Sequence, residues 1–142
     1  MPIDNIFGIA GSALNAQMAR MNSVASNMAN ASTVAGSEKE AFRGKRLVFK
    51  AVLDDQSQLP RDQTYQGGVK IDSLIDDPSP VRRISDPGNP LADKDGFVYL
   101  SNVNEMTEMV EMMAASRSYQ NNVEVINTTR QLMMRTIEIT RS

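Results

Sequence analysis

Paired and clustered acids are the first residues in this chain with types and spacing suited to chemistry: Asp54-Asp55, Asp76-Asp77 and the run Asp93-Lys94-Asp95-Gly96. Two neighbouring carboxylates can divide acid and base roles when an apolar pocket or a partner separates their ionisation. Nothing around either Asp pair supplies such surroundings, so both read as solvated loop acids. The third run has the Asp-x-Asp-Gly core of a calcium loop, but Leu91 stands at the first ligand position and Asn102 at that of the bidentate acid. It predicts a turn and no metal. The 142 residues contain no His and no Cys. That excludes zinc sites with nitrogen or sulfur ligands, Ser-His and Cys-His nucleophiles, and disulfides. There is no phosphate loop, and Gly8 and Gly11 follow no strand, so no nucleotide cofactor is expected. The reading is a non-enzyme with no cofactor, no metal and no small-molecule substrate.

Arg43, Lys45, Arg46 and Lys50 form one small basic cluster and Arg82-Arg83 another, with only Phe42 and Phe49 near the first to stack on a base. With a net charge of −2 they predict charged sheet edges and no nucleic-acid partner. No run approaches the ~18 apolar residues of a membrane span. The opening Met1-Pro2-Ile3-Asp4-Asn5 lacks the charged start and apolar block of a cleaved signal peptide, so none is expected. Asn30-Ala31-Ser32 and Asn127-Thr128-Thr129 match the glycosylation triplet, a short pattern with many chance occurrences, and both adjoin or fall in helical segments.

The elements that must position any functional residue divide the chain in three. All ten Met lie at position 1, within 18–28 or within 106–134, whereas five of six Pro and five of seven aromatics fall between. Apolar or small residues at Ile3, Phe7, Ala10, Leu14, Met18, Met21, Ala25 and Met28 step by three and four, one face of a helix that ends between Asn30 and Gly36. Gly8 and Gly11 inside it each cost about 1 kcal/mol against Ala, so the helix needs a partner. A second helix is expected from about Val103, with Asn102 and Glu105 as a capping box. Glu105, Glu108 and Glu111 stand at its amino end, and Arg130, Arg135 and Arg141 at its carboxyl end, complementing the helix dipole. Its stripe runs Met106, Met109, Met113, Ser116, Gln120, Val123 and on through either Asn127 or Ile126 to Ile137. Between the helices, 47–53, 69–73 and 97–100 alternate as short strands, and 86–90 is too broken for a regular element.

The fold class is therefore α+β: long terminal helices, 1–36 and 102–142, pair as an antiparallel coiled coil around a small, irregular β-rich insert, 37–101. At 1.5 Å per residue the first helix spans roughly 40 Å and the second roughly 57 Å. About ten residues of apolar stripe on the longer helix then lack an intrachain partner, which points to burial between molecules. Leu14, Met18, Met106, Met113, Val123 and Ile137 are the residues expected to carry helix packing and assembly.

Ser26-Asn27-Met28-Ala29-Asn30-Ala31-Ser32-Thr33 resembles the Asn-bearing signature that follows the first helix in flagellar rod and hook proteins. Asn102-Val103-Asn104-Glu105-Met106, leading to Ala115-Ser116-Arg117-Ser118-Tyr119-Gln120-Asn121-Asn122, is similar to that family's carboxyl-terminal signature. Gly67-Gly68-Val69-Lys70, Asp86-Pro87-Gly88-Asn89-Pro90-Leu91-Ala92-Asp93 and Gly96-Phe97-Val98-Tyr99 resemble its short proximal-rod members in order and spacing. The resemblance implies a structural subunit of the bacterial flagellar basal-body rod. Such a subunit would leave the cytoplasm through the flagellar type III export apparatus without a cleaved signal peptide. It would then assemble in the periplasm-spanning rod with copies of itself, other rod proteins and the basal-body rod junction. Asn27, Asn30, Arg117, Tyr119 and Asn121, within the matching segments, are expected to set register or join subunits. The rival reading is a free-standing coiled-coil dimer serving as an adaptor or export chaperone, binding a client through 76–95.

Overall fold

The computed structural model describes residues 3–52 and 67–141. Leu53, Asp54-Asp55 and the polar linker through Gln66 lie outside them. Helix α1 (Ile3–Asn30) and helix α2 (Glu105–Arg141) flank five strands: β1 (Val34–Ala35), β2 (Lys45–Val52), β3 (Gly68–Asp76), β4 (Arg82–Ser85) and β5 (Phe97–Leu100). The chain is thus α+β, with long end helices around a β-rich insert. Contacts climb one helix as they descend the other, Arg20 to Glu111, Asn27 to Glu108 and Ser32 to Glu105, so the pair is antiparallel.

Along α2 the buried and half-buried positions alternate by four and three from Glu108 through Ala115 and Asn122 to Ile126 and Met133. This row, and not the one drawn through Met106, Met109 and Met113, meets α1. Those three methionines are 70%, 46% and 50% exposed. On α1 the buried side keeps Ala10 of the expected row but leaves Met18 44% exposed and takes in Ala16, Val24 and Asn27 instead. Small residues let two helices and a hairpin approach closely, and hydrophobicity alone does not say which apolar row that approach will use.

The capping box is also reassigned. Helix α2 opens at Glu105 with Asn104 as its cap: Asn104 Oδ1 accepts from the Thr107 amide at 3.1 Å, and the Asn104 carbonyl accepts from Glu108 N–H. Asn102 works elsewhere, as described below, and Glu105 accepts from Ser32 Oγ at 2.9 Å.

The strands form two sheets. β2 and β3 make an antiparallel hairpin from Lys45↔Asp76 to Val52↔Gly68, with an irregularity between Val48 and Phe49. The other sheet has the order β1-β5-β4. β1 and β4 were not anticipated from the sequence. β1 is two residues long, too short for an alternation signal, and β4 reads Arg-Arg-Ile-Ser because it is a fully exposed edge. The Arg83 guanidinium lies 3.6 Å from the centre of the Phe97 ring, a cation–π contact across that edge. The hairpin touches α1 at a second place, where Ser12 Oγ accepts from the Val69 amide at 3.1 Å and donates to the Ile9 carbonyl. A Cβ on Gly68 would stand 2.7 Å from that oxygen, so any other residue there would displace the Ser12 hydroxyl.

Asp93 forms the expected turn. Its Oδ1 accepts from the amides of Asp95 and Phe97 at 3.0 and 2.8 Å, and Gly96 takes a φ of +77°, which glycine adopts without penalty. The Phe97 amide holds the Asp93 carboxyl below its ordinary value of 3.8, with further help from Asp95, Tyr99 and Arg83. A carboxyl depressed on folding contributes stability that is present above its unfolded value and lost as pH falls through the folded one. Protection of the Phe97 amide against hydrogen exchange should therefore fall on acidification below 3.8, while that of Val69, held by the neutral Ser12 hydroxyl, persists. Equal loss at both amides would contradict a local role for Asp93.

Candidate assembly surface

The structure joins three elements at one buried amide. Asn27 is fully buried, and its Oδ1 accepts from the Lys45 amide at 2.7 Å while its Nδ2 donates to the Lys45 carbonyl at 3.0 Å. The side chain thus pairs with the first residue of β2 as a neighbouring strand would, which requires a donor and an acceptor on one short planar group. Nδ2 also donates to Glu108 Oε2 at 3.0 Å, and Ser23 Oγ donates to the same Lys45 carbonyl at 3.2 Å.

Glu108, 1% exposed, is the one buried acid among the described residues. Its other oxygen faces Arg46 Nη1 at 3.2 Å, and Arg46 Nε lies 3.5 Å from Asp77. The Asp77 carboxyl is lowered chiefly by hydrogen bonding from Ser79, with the Arg46 charge adding to it. Asn102 closes the far side: Oδ1 accepts from the Gly44 amide at 2.8 Å, and Nδ2 donates to the carbonyls of Asp77 and Ser79. An Arg20–Glu111 ion pair bridges the helices beside this knot.

The sequence-derived residues distribute unevenly around it. Asn27 is central, tying α1, α2 and β2 within one chain. Asn30 closes α1, with Nδ2 donating to the Ser26 carbonyl and its own carbonyl accepting from both N–H and Oγ1 of Thr33. Arg117 and Asn121 are exposed on α2, and Tyr119 is half-buried on the row facing α1. Leu14 and Val123 are half-buried, whereas Met18, Met106, Met113 and Ile137 are exposed. Glu108, Arg46 and Asn102 carry the knot without having been singled out for it. The available signal was Glu108 itself, an acid in the same four-three row as Ala115 and Asn122.

Outside the knot α2 exposes several large apolar side chains. Met106, Met109, Val110 and Met113 share the face of α2 turned away from α1, and Leu132, Met134 and Ile137 stand exposed toward its other end. The Arg20–Glu111 pairing places α1's first described residue opposite about residue 128 of α2, so the last turns of α2 run past α1. Exposed apolar area on this scale marks a surface made for contact. No helix among the described residues is long and apolar enough to cross a membrane.

Residues 7–36 match the family described as flagella basal body rod protein, and residues 94–139 match the family described as flagellar basal body rod FlgEFG protein C-terminal. Over its whole length the chain is similar to the flagellar basal-body rod protein FlgC of Yersinia enterocolitica, 49% identical over 98% of both chains. The protein of the same description from Salmonella typhimurium is 45% identical, and that from Buchnera aphidicola subsp. Baizongia pistaciae 34%, again over 98% of each chain.

Removing one partner from a buried ion pair typically costs about 3–5 kcal/mol, because the other charge and its hydrogen bonds are stranded. Arg46 is part-exposed, so urea denaturation of Glu108→Ala should show the lower end of that range, about 3 kcal/mol. Glu108→Gln, which keeps an acceptor for Asn27, should lose less. The exposed Arg117→Ala should stay within about 0.5 kcal/mol of the wild type, and a Glu108→Ala chain equally stable would refute the knot's importance.

Proposed function

The chain belongs to the FlgC family of flagellar basal-body rod proteins and is a structural subunit of that rod, and from this premise we propose that it assembles by burying the apolar faces of its end helices against neighbouring subunits. The observation that carries this reading is the exposed face of Met106, Met109, Val110 and Met113, which the fold of one chain leaves uncovered. In the assembled rod Met18 and Ile137 are buried in the same way, Leu14 and Val123 complete the packing at its margins, and Arg117, Tyr119 and Asn121 contribute polar contacts between subunits. The insert packs outside the helical layer. Its neighbours are copies of itself, other rod proteins and the basal-body rod junction, in the proximal part of the shaft.

The same reading includes export through the flagellar type III apparatus without a cleaved signal peptide, followed by assembly in the periplasm-spanning rod. An α1 weakened by Gly8 and Gly11 and dependent on α2 and the hairpin for partners suits a chain that passes a narrow channel unfolded. Its helices then gain their full stability from neighbours. The role is mechanical, transmitting torque, and calls for no catalysis.

Met113→Asp separates folding from assembly. Met113 is half-exposed in the single chain, so the substitution should alter the stability of the isolated protein by no more than about 0.5 kcal/mol. Between subunits an unpaired buried charge costs several kcal/mol, enough to exclude the chain from purified basal bodies and abolish swimming while exported amounts stay normal. Lys39→Glu, at an exposed position, should change neither. Normal swimming with Met113→Asp would refute the use of this face.

A further inference from the structure

Each sheet of the insert leaves a strand edge open, and the two edges match. On β3 the Asp77 amide donates to the Gly44 carbonyl at 2.7 Å. Main-chain groups alternate sides along a strand, so Ser73 and Ile75 face β2, while Leu74 and Asp76 turn theirs outward. On β4 the Asp86 amide donates to the Gly96 carbonyl at 2.9 Å, so Arg82 and Ile84 face β5, and Arg83 and Ser85 turn outward. Leu74, Ile75, Asp76 and all four residues of β4 are exposed, and the Ser12 fastening lies at the other end of β3, at Val69.

Strands that follow one another in sequence usually pair, but β3 and β4 belong to separate sheets and do not touch. Their connector keeps them apart. Pro78 and Pro80 stiffen it, Asn102 Nδ2 donates to the carbonyls of Asp77 and Ser79, and the Arg43 guanidinium donates to that of Ser79. Each strand is thus left with an edge that its own chain does not fill.

An open edge is a template for another chain, and the charge on it selects which chain. With Arg82 and Arg83, β4 repels a second β4; the end of β3 carries Asp76 and then Asp77. Laid antiparallel with Arg83 opposite Asp76, the outward main-chain groups of Arg83 and Ser85 meet those of Asp76 and Leu74. The same register sets Arg82 opposite Asp77 and Ile84 opposite Ile75, which are 46% and 48% exposed. Opposite charges and β-branched pairs directly across from one another stabilise neighbouring strands. A slip of two residues either way loses both charge pairs and the isoleucine pair. Arg82 has no ion-pair partner among the described residues, and Arg83 and Asp76 stay exposed although they meet Phe97 and Lys45 in their own chain.

Resting on the rod-subunit reading, we propose that β4 of one copy adds as a strand to the outer edge of β3 in a second copy, with Arg83 opposite Asp76 and Ile84 opposite Ile75. The inserts then share one sheet, three strands from one copy and two from the other. The contact joins two different edges, so each copy keeps one for the next neighbour, and the contact does not close in pairs.

Ile84 and Ile75 form a non-hydrogen-bonded pair in this register, with Cα atoms about 4.5 Å apart, within reach of a disulfide. The chain has no cysteine of its own. Basal bodies from cells carrying Ile75→Cys together with Ile84→Cys, treated with a mild oxidant, should yield linked dimers and higher multiples of the chain on a non-reducing gel. Neither single variant should give multiples beyond the monomer. Rods that contain the doubly substituted chain but yield only monomer would overturn the contact and leave the rod assignment intact, whereas absence of the wild-type chain from purified rods would overturn both. Charge exchange covers the case in which the cysteines block assembly: Arg83→Asp and Asp76→Arg should each lose swimming, and the double exchange should regain it. Either single also disturbs a contact within its own chain, at Phe97 or Lys45, which the exchange does not restore, so recovery reports the contact between copies. Unchanged swimming in both singles, or a double variant no better than either, would overturn the proposal.

Discussion

Everything else in the molecule is arranged around the side-chain amide of Asn27. It sits where two helices and a strand meet, and there it satisfies the N–H of Lys45 and, together with Ser23, its carbonyl. A peptide group left without partners in such a junction costs about as much as a lost hydrogen bond, so this amide favours the three elements meeting here. Glu108 then fixes the axial position of α2 against α1, and Arg46 carries that constraint into the hairpin. Polar groups thus set the register, and apolar burial adds stability without choosing it.

The arrangement divides labour between small and large residues. Ala10, Ala16, Ala115 and Val24 fill the interior, where elements approach closely, and Asn27, Ser101 and Glu108 complete it. Met18, Met106, Met109, Met113 and Met134 are left on the outside. Met is unbranched and polarizable, and it adapts to surfaces whose shape its own chain does not dictate. A subunit that must fit neighbours gains from putting its adaptable side chains there and its rigid ones within. The exposed apolar area, a liability in a solitary protein, is on the proposed assembly the part of the core that neighbours complete.

That division explains what was legible in the sequence. Both helices, the end of α1 within the 30–36 range, the Asp93 turn and three of the strands could be read from spacing and punctuation, because those signals are local. The family resemblance was legible because its signatures are contiguous runs, of which 26–33 contains Asn27 and 102–106 contains Asn102 and Asn104. The inward faces of the helices were not. A stripe of Met at three-four spacing announces burial, but burial against a neighbour and burial within the chain leave the same periodicity. The cap was misplaced for a similar reason: Asn102 and Asn104 both precede an acid, and only the position of Gly44, distant in sequence, determines which asparagine is free to cap. β4 was hidden because an edge strand of arginines has no alternation to display.

The hairpin of β2 and β3 is held to α1 at two places, Asn27 on Lys45 and Ser12 on Val69. The two attachments are separated along the helix by roughly 22 Å at 1.5 Å per residue. A single attachment would resist pulling but leave the hairpin free to swivel about it. Two resist a couple, so a sideways load on the insert is delivered to α1 as opposed forces on a lever arm. Gly68 matters in that sense more than as a backbone curiosity, because its missing side chain is what lets the outer fastening close. In a shaft that turns, the stiffness of each subunit against twisting then depends as much on a hydroxyl near one end of α1 as on the knot near the other.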